Sequence, residues 1–296
     1  MKVKLIQMTQ NPIDVMWVAA RTCYSEKSPI EMWEDTIKQQ FVQKLKDDCS
    51  GYEEKDEINQ KHWNLVKKVL DSGHQSIAET IVFTFSIEGV SRSLTHQLVR
   101  HRLCCYSQQS QRYVNFKDKV FNYAIPDIIE RKEGAKKIYE EFMEYCKSRY
   151  DELIDLGIPA EDARYVLPNG ACTNINMTAN LRELMHIASL RLCSRASKEI
   201  RDLFKLIKAE VTRKDERLGD LLKPTCEING ICFEDRCCGR KPTLKEVLEA
   251  HELVEADTVL SKNDWSLLIE LIENPQVNEK LQNLMKMKSV IEEEKK

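Results

Sequence analysis

No stretch of this 296-residue chain stays apolar for the roughly 18 residues that a membrane-crossing helix requires. The opening MKVKLIQMTQNPIDV turns polar too soon for the apolar segment of a secretory signal, so cytoplasm is the expected compartment. Net charge is nearly lacking too, since 45 Lys and Arg against 48 Asp and Glu leave −3 at pH 7. That balance gives no general pull toward nucleic acid or acidic membranes, and any anion site must be local. Internal repeats and low-complexity tracts are missing, and so are Cys-x-x-Cys knuckles. The cysteines themselves are not scarce. Eleven of them, an odd number scattered along a long chain, argue for reduced thiols and against a disulfide framework. Cys226, Cys232, Cys237 and Cys238 fall within thirteen residues, which keeps zinc open. Packed thiols are the plainer reading, and no resident metal is expected.

What is present is enough for a folded protein. With 42% apolar and 31% charged residues, the length suits one large domain, or one with an appendage. The segment KVKLIQM reads as a strand, and Ile13 to Cys23 as a short helix. Residues 44–60 are polar and charged and read as a solvated excursion. Trp63, Val66, Val69 and Leu70 form a helical stripe that stops near Gly73. In residues 81–87, Ile81, Phe83, Phe85 and Ile87 alternate with smaller side chains, the mark of a half-buried strand. Gly89 is expected to break it, and Ser91 to cap a helix running to about Arg102. Ile138, Phe142, Cys146 and Leu153 mark a long amphipathic helix ending at Gly157 and Pro159. A second helical region spans Asn180 to about Glu216. Composition shifts after Leu222. Thr243-Leu-Lys-Glu246 is a capping box, Trp265, Leu268, Leu271 and Ile272 mark a further helix, and the charged last twenty residues read as helical. The expected organisation is an α+β core over residues 1–222 and a Cys-containing linker with a helical extension over 223–296.

Two segments concentrate polar chemistry. On a helical wheel His101 joins the buried stripe of Val90, Leu94 and Leu98, with Gln97 and Arg100 along one edge and Arg102 along the other. The following Leu-Cys-Cys-Tyr-Ser-Gln-Gln-Ser-Gln-Arg-Tyr can present hydroxyl, amide and guanidinium groups together, as a phosphorylated heterocycle requires. On composition alone, an ordinary helix end carrying basic residues is the plainer reading. In the second segment, Arg191 projects among Leu184, Ile187 and Ala188 on a helix apolar all round. A buried guanidinium needs a partner, either a ligand anion or one of Glu161, Asp162 and Glu183. Arg182 and His186 are neighbours one turn apart, and Arg182 lies on the opposite face from Arg191. Cys104 and Cys105 have no activating histidine beside them in sequence, although Arg100 and Arg102 are close enough to lower a thiol pKa.

Arg100-His101-Arg102, then seven residues, then Ser110-Gln111-Arg112-Tyr113 resembles the signature of the flavin-dependent thymidylate synthases. Three further blocks agree in order and spacing. They are Gly73-His74-Gln-Ser76-Ile-Ala-Glu79, Glu161-Asp-Ala-Arg164-Tyr-Val-Leu-Pro168, and Asn180-Leu-Arg182-Glu-Leu-Met-His186 with Leu190-Arg191. The resemblance implies that family's fold, with a mixed or antiparallel sheet and long helices, in a homotetramer whose sites form between subunits. It implies FAD beside His74, Ser76, Glu79, Arg100, His101, Arg102, Gln108, Asn180, Arg182 and His186. It implies dUMP beside Gln97, Leu98, Val99, Arg100, Gln108, Gln109, Ser110, Gln111, Arg112, Arg164 and Arg191. NADPH and 5,10-methylenetetrahydrofolate would be co-substrates, Arg191 the catalytic residue, and no enzyme nucleophile would be needed. Gln108 stands where many members carry glutamate, His186 where some carry asparagine, and Cys105 where serine is common. The guanidinium groups are expected in a dry cleft. A competing reading takes Arg100, Arg102, Arg112, Tyr106 and Tyr113 as a basic–aromatic nucleic-acid surface, against which the net acidity counts.

Overall fold

The alternation over residues 81–87 organises the molecule. In the computed structural model, which describes residues 1–50 and 57–250, Ile81, Phe83, Phe85 and Ile87 are fully buried. Strand β2 (Val82–Ser91) is an inner strand of a four-stranded antiparallel sheet. The other strands are β1 (Lys2–Met8), β3 (Cys105–Gln108) and β4 (Cys172–Asn180), in the order β1-β2-β4-β3. Gly89 does not end β2. Its φ of +67° lies in the left-handed region, where glycine is unstrained, at the irregularity between Ile87 and Val90, and pairing resumes at Val90. Two strands escape sequence reading. In β4 the buried Thr173, Ile175, Met177 and Ala179 alternate with polar residues, but two of them are too small or polar to signal hydropathy. β3 is only four residues of mixed character.

One face of the sheet is apolar and the other is wet, as an antiparallel sheet permits. On the wet face Thr84 and Thr178 join hydroxyls at 3.0 Å, and Thr84 donates to Gln7 Oε1. The helices are α1 (Pro12–Thr22), α2 (Pro29–Ser50), α3 (Glu57–Asp71) and α4 (Arg92–Leu98), then α5 (Asp127–Glu130), α6 (Glu133–Asp155) and α7 (Ala160–Ala163). They continue with α8 (Leu181–Arg191), α9 (Lys198–Lys214), α10 (Glu216–Leu221), α11 (Thr225–Asn229) and α12 (Leu244–Ala250). Short 3₁₀ turns cover Gln75–Thr80 and Arg164–Val166. Helix α9 brings Leu203, Phe204, Ile207 and Val211 into the core and packs on β1, where Leu5 N donates to Glu210 Oε2 at 2.8 Å.

Several expectations change. The supposed excursion over 44–60 is helical where it is described, because α2 runs to Ser50 and α3 begins at Glu57. Its Lys, Glu and Gln residues favour helix whether or not they are buried. The second helical region divides in two, with Asn180 ending β4 and a non-helical link at 192–197 separating α8 from α9. The stripe on α6 matches the expected one at Cys146 but not at Ile138 and Phe142. Met143, Cys146 and Tyr150 are buried, whereas Ile138 is 71% and Phe142 56% exposed.

The chain divides into two compact units, Met1–Pro224 and Thr225–Lys296. In the second, Thr243 N donates to Glu246 Oε2 (2.6 Å) and Glu246 N to Thr243 Oγ1 (3.2 Å), the expected capping box. The further helix around Trp265 and the charged last twenty residues fall outside the described residues. The class is α+β. Among the described residues no helix is long and apolar enough to cross a membrane.

Candidate active site

Both inner strands deliver a capped helix. At the end of β2, Ser91 Oγ accepts from Leu94 N (2.9 Å) and donates to Glu199 Oε2 (2.6 Å), fixing the start of α4 against α9. At the end of β4, Asn180 Oδ1 accepts from Glu183 N (2.8 Å) and opens α8. Since Val82 pairs with Asn180 and Ser91 with Cys172, the two helices leave from opposite ends of neighbouring strands. Residues just past the end of α4 meet the last residue of α8.

Helix α4 stops at Leu98, so Arg100, His101 and Arg102 occupy a turn and not the helix expected for them. The reason is tertiary. The Tyr106 hydroxyl from β3 lies 2.7 Å from the Leu98 carbonyl and 3.1 Å from that of His101, and closes the turn. Burial pushes the Tyr106 hydroxyl pKa up strongly, so it remains a donor. Within that turn His101 is only 7% exposed. Arg191 Nε donates to His101 Nε2 at 3.1 Å, and the His186 ring stands edge-on at 6.4 Å. Burial, then Arg191, then His186 lower the His101 pKa to about 4, so the imidazole is neutral near pH 7. Arg191 itself is partly buried, and among the described residues it has no carboxylate partner. Of the carboxylates considered for it, Glu161 pairs with Arg112, and Glu183 is a buried group whose pKa burial raises. The helix is also less enclosed than expected, since Leu190 is 46% exposed.

The 3₁₀ turn brings the first block alongside. Glu79 pairs with Arg182 of α8, while His74 and Ser76 are exposed on the same short segment. Arg100 and Arg102 are exposed with no carboxylate partner among the described residues.

A second group gathers around β3 and the turn after α7. Gln108 Nε2 donates to Thr95 Oγ1 (3.1 Å), and Gln109 N donates to Asn174 O (2.9 Å). Ser110 Oγ accepts from the backbone N–H groups of Arg112 (3.1 Å) and Tyr113 (3.4 Å). Arg112 pairs with Glu161 and lies over the Tyr113 ring, while Arg164 Nε donates to Glu161 O (2.9 Å). Gln97 Oε1 accepts from Ser197 Oγ (3.1 Å), Val99 is exposed, and Leu98 is wholly buried as a core residue.

Sequence reasoning missed Arg92. Its Nε is buried without a partner, and burial together with nearby Arg164 lowers its pKa. The available signal was its place in the first turn of α4, where the helix dipole disfavours a cation.

The arginines do not share a dry cleft within one chain. Arg100, Arg102, Arg112 and Arg182 are exposed, and two of these four are paired with glutamates. A cavity of about 420 Å³ takes in Gln109, Gln111, Phe116, Asn122 and Thr173 but none of the arginines. The nucleic-acid surface does not assemble either, because Tyr106 turns its hydroxyl inward and Arg112 is neutralised by Glu161. Cys104 is pushed up to about 11, mainly by burial, so neighbouring arginines do not make it a thiolate. In the second unit Cys232 is buried, and Gly239 N donates to Cys237 Sγ at 3.3 Å. Among the described residues no three His, Cys, Asp or Glu side chains are arranged to hold a metal.

Comparison with known proteins bears on the same residues. The family described as "Thymidylate synthase complementing protein" matches residues 4–215. A flavin-dependent thymidylate synthase of Geobacter sulfurreducens is 37% identical over 253 residues, covering 83% of this chain and 97% of that protein. One of Clostridium tetani is 37% identical over 263 residues, covering 83% and 96%. One of Sulfolobus acidocaldarius is 36% identical over 231 residues, covering 77% and 79%. The matched region holds all four signature blocks, the turn of His101 and the helix of Arg191, and this chain belongs to the flavin-dependent thymidylate synthase family.

Proposed function

We infer that this protein is an FAD-dependent thymidylate synthase that converts dUMP to dTMP, using 5,10-methylenetetrahydrofolate and NADPH. The observation that carries the reading is Arg191. It is a partly buried cation with no carboxylate counter-ion among the described residues, tethered through Nε to a neutral imidazole. Such a group is left with charge to spend on a ligand.

The donor set fits a flavin dinucleotide. Arg100, Arg102 and Arg182 supply cations for a diphosphate, and His74 and His186 supply flat polar groups for a ring system, with Ser76, Glu79, Gln108 and Asn180 completing the set. When bound, the flavin supplies hydride transfer between the nicotinamide and the one-carbon unit. Arg100, Gln108, Gln109, Ser110, Gln111, Arg112, Arg164 and Arg191, with Gln97 and the backbone of Leu98 and Val99, hold dUMP. Its phosphate carries about two negative charges, suited to guanidinium forks. Arg92 joins Arg164 there, since burial and the nearby charge of Arg164 both disfavour its cation and an anion would offset them. Arg191 sits against N3 and O4 of the uracil and stabilises charge developing on the ring. Neither Ser110 nor Cys104 is readied as a nucleophile. Ser110 Oγ is occupied by two backbone N–H groups, and Cys104 is protonated at neutral pH.

The spread of the arginines over one chain supports a site completed by other copies of it. Ile138, Phe142 and Tyr145 present an exposed apolar row on α6 that suits self-association into a homotetramer. Residues 1–222 form the catalytic unit and 223–296 an extension. The test is direct. Purified protein must show flavin absorbance, and tritium release from C5-labelled dUMP must depend on both NADPH and methylenetetrahydrofolate. Colourless protein that releases no tritium after FAD is added ends the proposal.

A further inference from the structure

We propose that His101 is the positioning residue for Arg191: its imidazole takes the Nε–H of Arg191 and leaves both terminal amino groups of that guanidinium for the pyrimidine. The inference rests on the proposed synthase activity and goes beyond it in giving His101 a role toward Arg191.

Three observations converge. First, the contact is a directed hydrogen bond, Arg191 Nε to His101 Nε2 at 3.1 Å, so the acceptor nitrogen must be unprotonated and the ring proton sits on Nδ1. Second, that state is enforced, because a proton on Nε2 would confront the N–H of Arg191 in a site that is 7% exposed. Third, His101 is held on both backbone sides. Its N–H donates to Leu98 O (3.1 Å) and its carbonyl lies 3.1 Å from the Tyr106 hydroxyl. Among the described residues, the terminal nitrogens of Arg191 have no protein acceptor.

The choice of residue carries the chemistry. A carboxylate in place of His101 would orient Arg191 equally well, but would cancel the charge that the uracil ring needs. A neutral imidazole fixes direction and leaves the charge intact.

The experiment uses the holoenzyme and three variants: His101→Ala, His101→Gln and His101→Glu. Glutamine restores a neutral acceptor at a similar reach, and glutamate restores an acceptor that neutralises. Losing a hydrogen bond to a charged group predicts a fall in kcat of about ten- to a hundredfold in His101→Ala, with KM for dUMP nearly unchanged and flavin retained. His101→Gln recovers most of kcat, and His101→Glu does not. Phenylglyoxal labelling of Arg191, followed by peptide mass analysis, accelerates in His101→Ala and stays slow in His101→Gln. This readout needs no turnover. If wild-type protein labels slowly but forms no dTMP, the synthase reading fails while the tether stands. Flavin loss in His101→Ala and His101→Gln alike overturns the proposal and makes His101 a cofactor contact. Unchanged kcat and unchanged labelling in His101→Ala overturn it as well.

Discussion

Arg191→Ala tests the separation of chemistry from architecture. Among the described residues Arg191 makes one side-chain hydrogen bond, to neutral His101, and no ion pair with a carboxylate. Removing it strands no buried counter-ion, and the lost bond costs about 1–2 kcal/mol of stability. If its charge faces the uracil ring in the transition state, the loss there is about 3–4 kcal/mol, roughly a hundred- to a thousandfold in kcat. Tritium release at saturating dUMP measures the second quantity, and chemical denaturation with flavin absorbance the first. The expected variant is yellow, folded and nearly inactive. His101 should titrate higher in it, because one of the groups that depress its pKa is gone. Two results refute the reasoning. A fall in kcat below about tenfold means the charge does not face the reaction. Simultaneous loss of fold and flavin means Arg191 is a structural pillar.

Other predictions follow from the same geometry. Arg92→Met should weaken dUMP binding about tenfold or more while leaving stability level or raised, since its Nε has no partner to lose. Equal weakening for unphosphorylated deoxyuridine in calorimetry would refute that. Glu161→Gln frees Arg112 from an exposed pair, for which the scale is about 0–1 kcal/mol, so KM for dUMP should fall by no more than about fivefold. A rise would refute it. Ser91→Ala removes a helix cap and an interaction with Glu199, at about 1–2 kcal/mol by denaturation. Because His101 has a folded pKa of about 4, below the ordinary 6.5, the unfolded chain binds its proton more readily. Stability is therefore full above about pH 6.5 and declines as pH falls toward 4, and His101→Gln should flatten that slope in pH-dependent melting. Replacing Cys104 and Cys105 together by Ala should leave substantial activity, whereas inactivation with the fold intact would restore a thiol mechanism.

The sequence was informative wherever side-chain size alternated sharply or a cap carried its own partner. Ile81 to Ile87, Ser91, and Thr243 with Glu246 were legible for those reasons. It was silent where long-range contacts decided local form. Nothing in Arg100-His101-Arg102 says that a hydroxyl from Tyr106 ends the helix two residues earlier. The side of α6 that faces inward was equally hidden, since Phe142 and Met143 are both apolar and only packing chooses between them. The signature blocks could be read in order, but not their partition into one group around His101 and Arg191 and another around β3 and Arg164. Wheel geometry placed Arg191 among apolar neighbours correctly in kind, yet could not name a histidine ninety positions away as its partner.

The departure of α4 and α8 from opposite ends of adjacent strands has an electrostatic result. Arg191 lies in the last turn of its own helix and beside the turn that follows the other, where carbonyl oxygens without helical partners gather partial negative charge. Backbone dipoles thus favour a cation at this place, where a carboxylate would have cancelled its charge. The field comes from the peptide framework itself, so surface substitutions and changes of ionic strength should leave it largely intact.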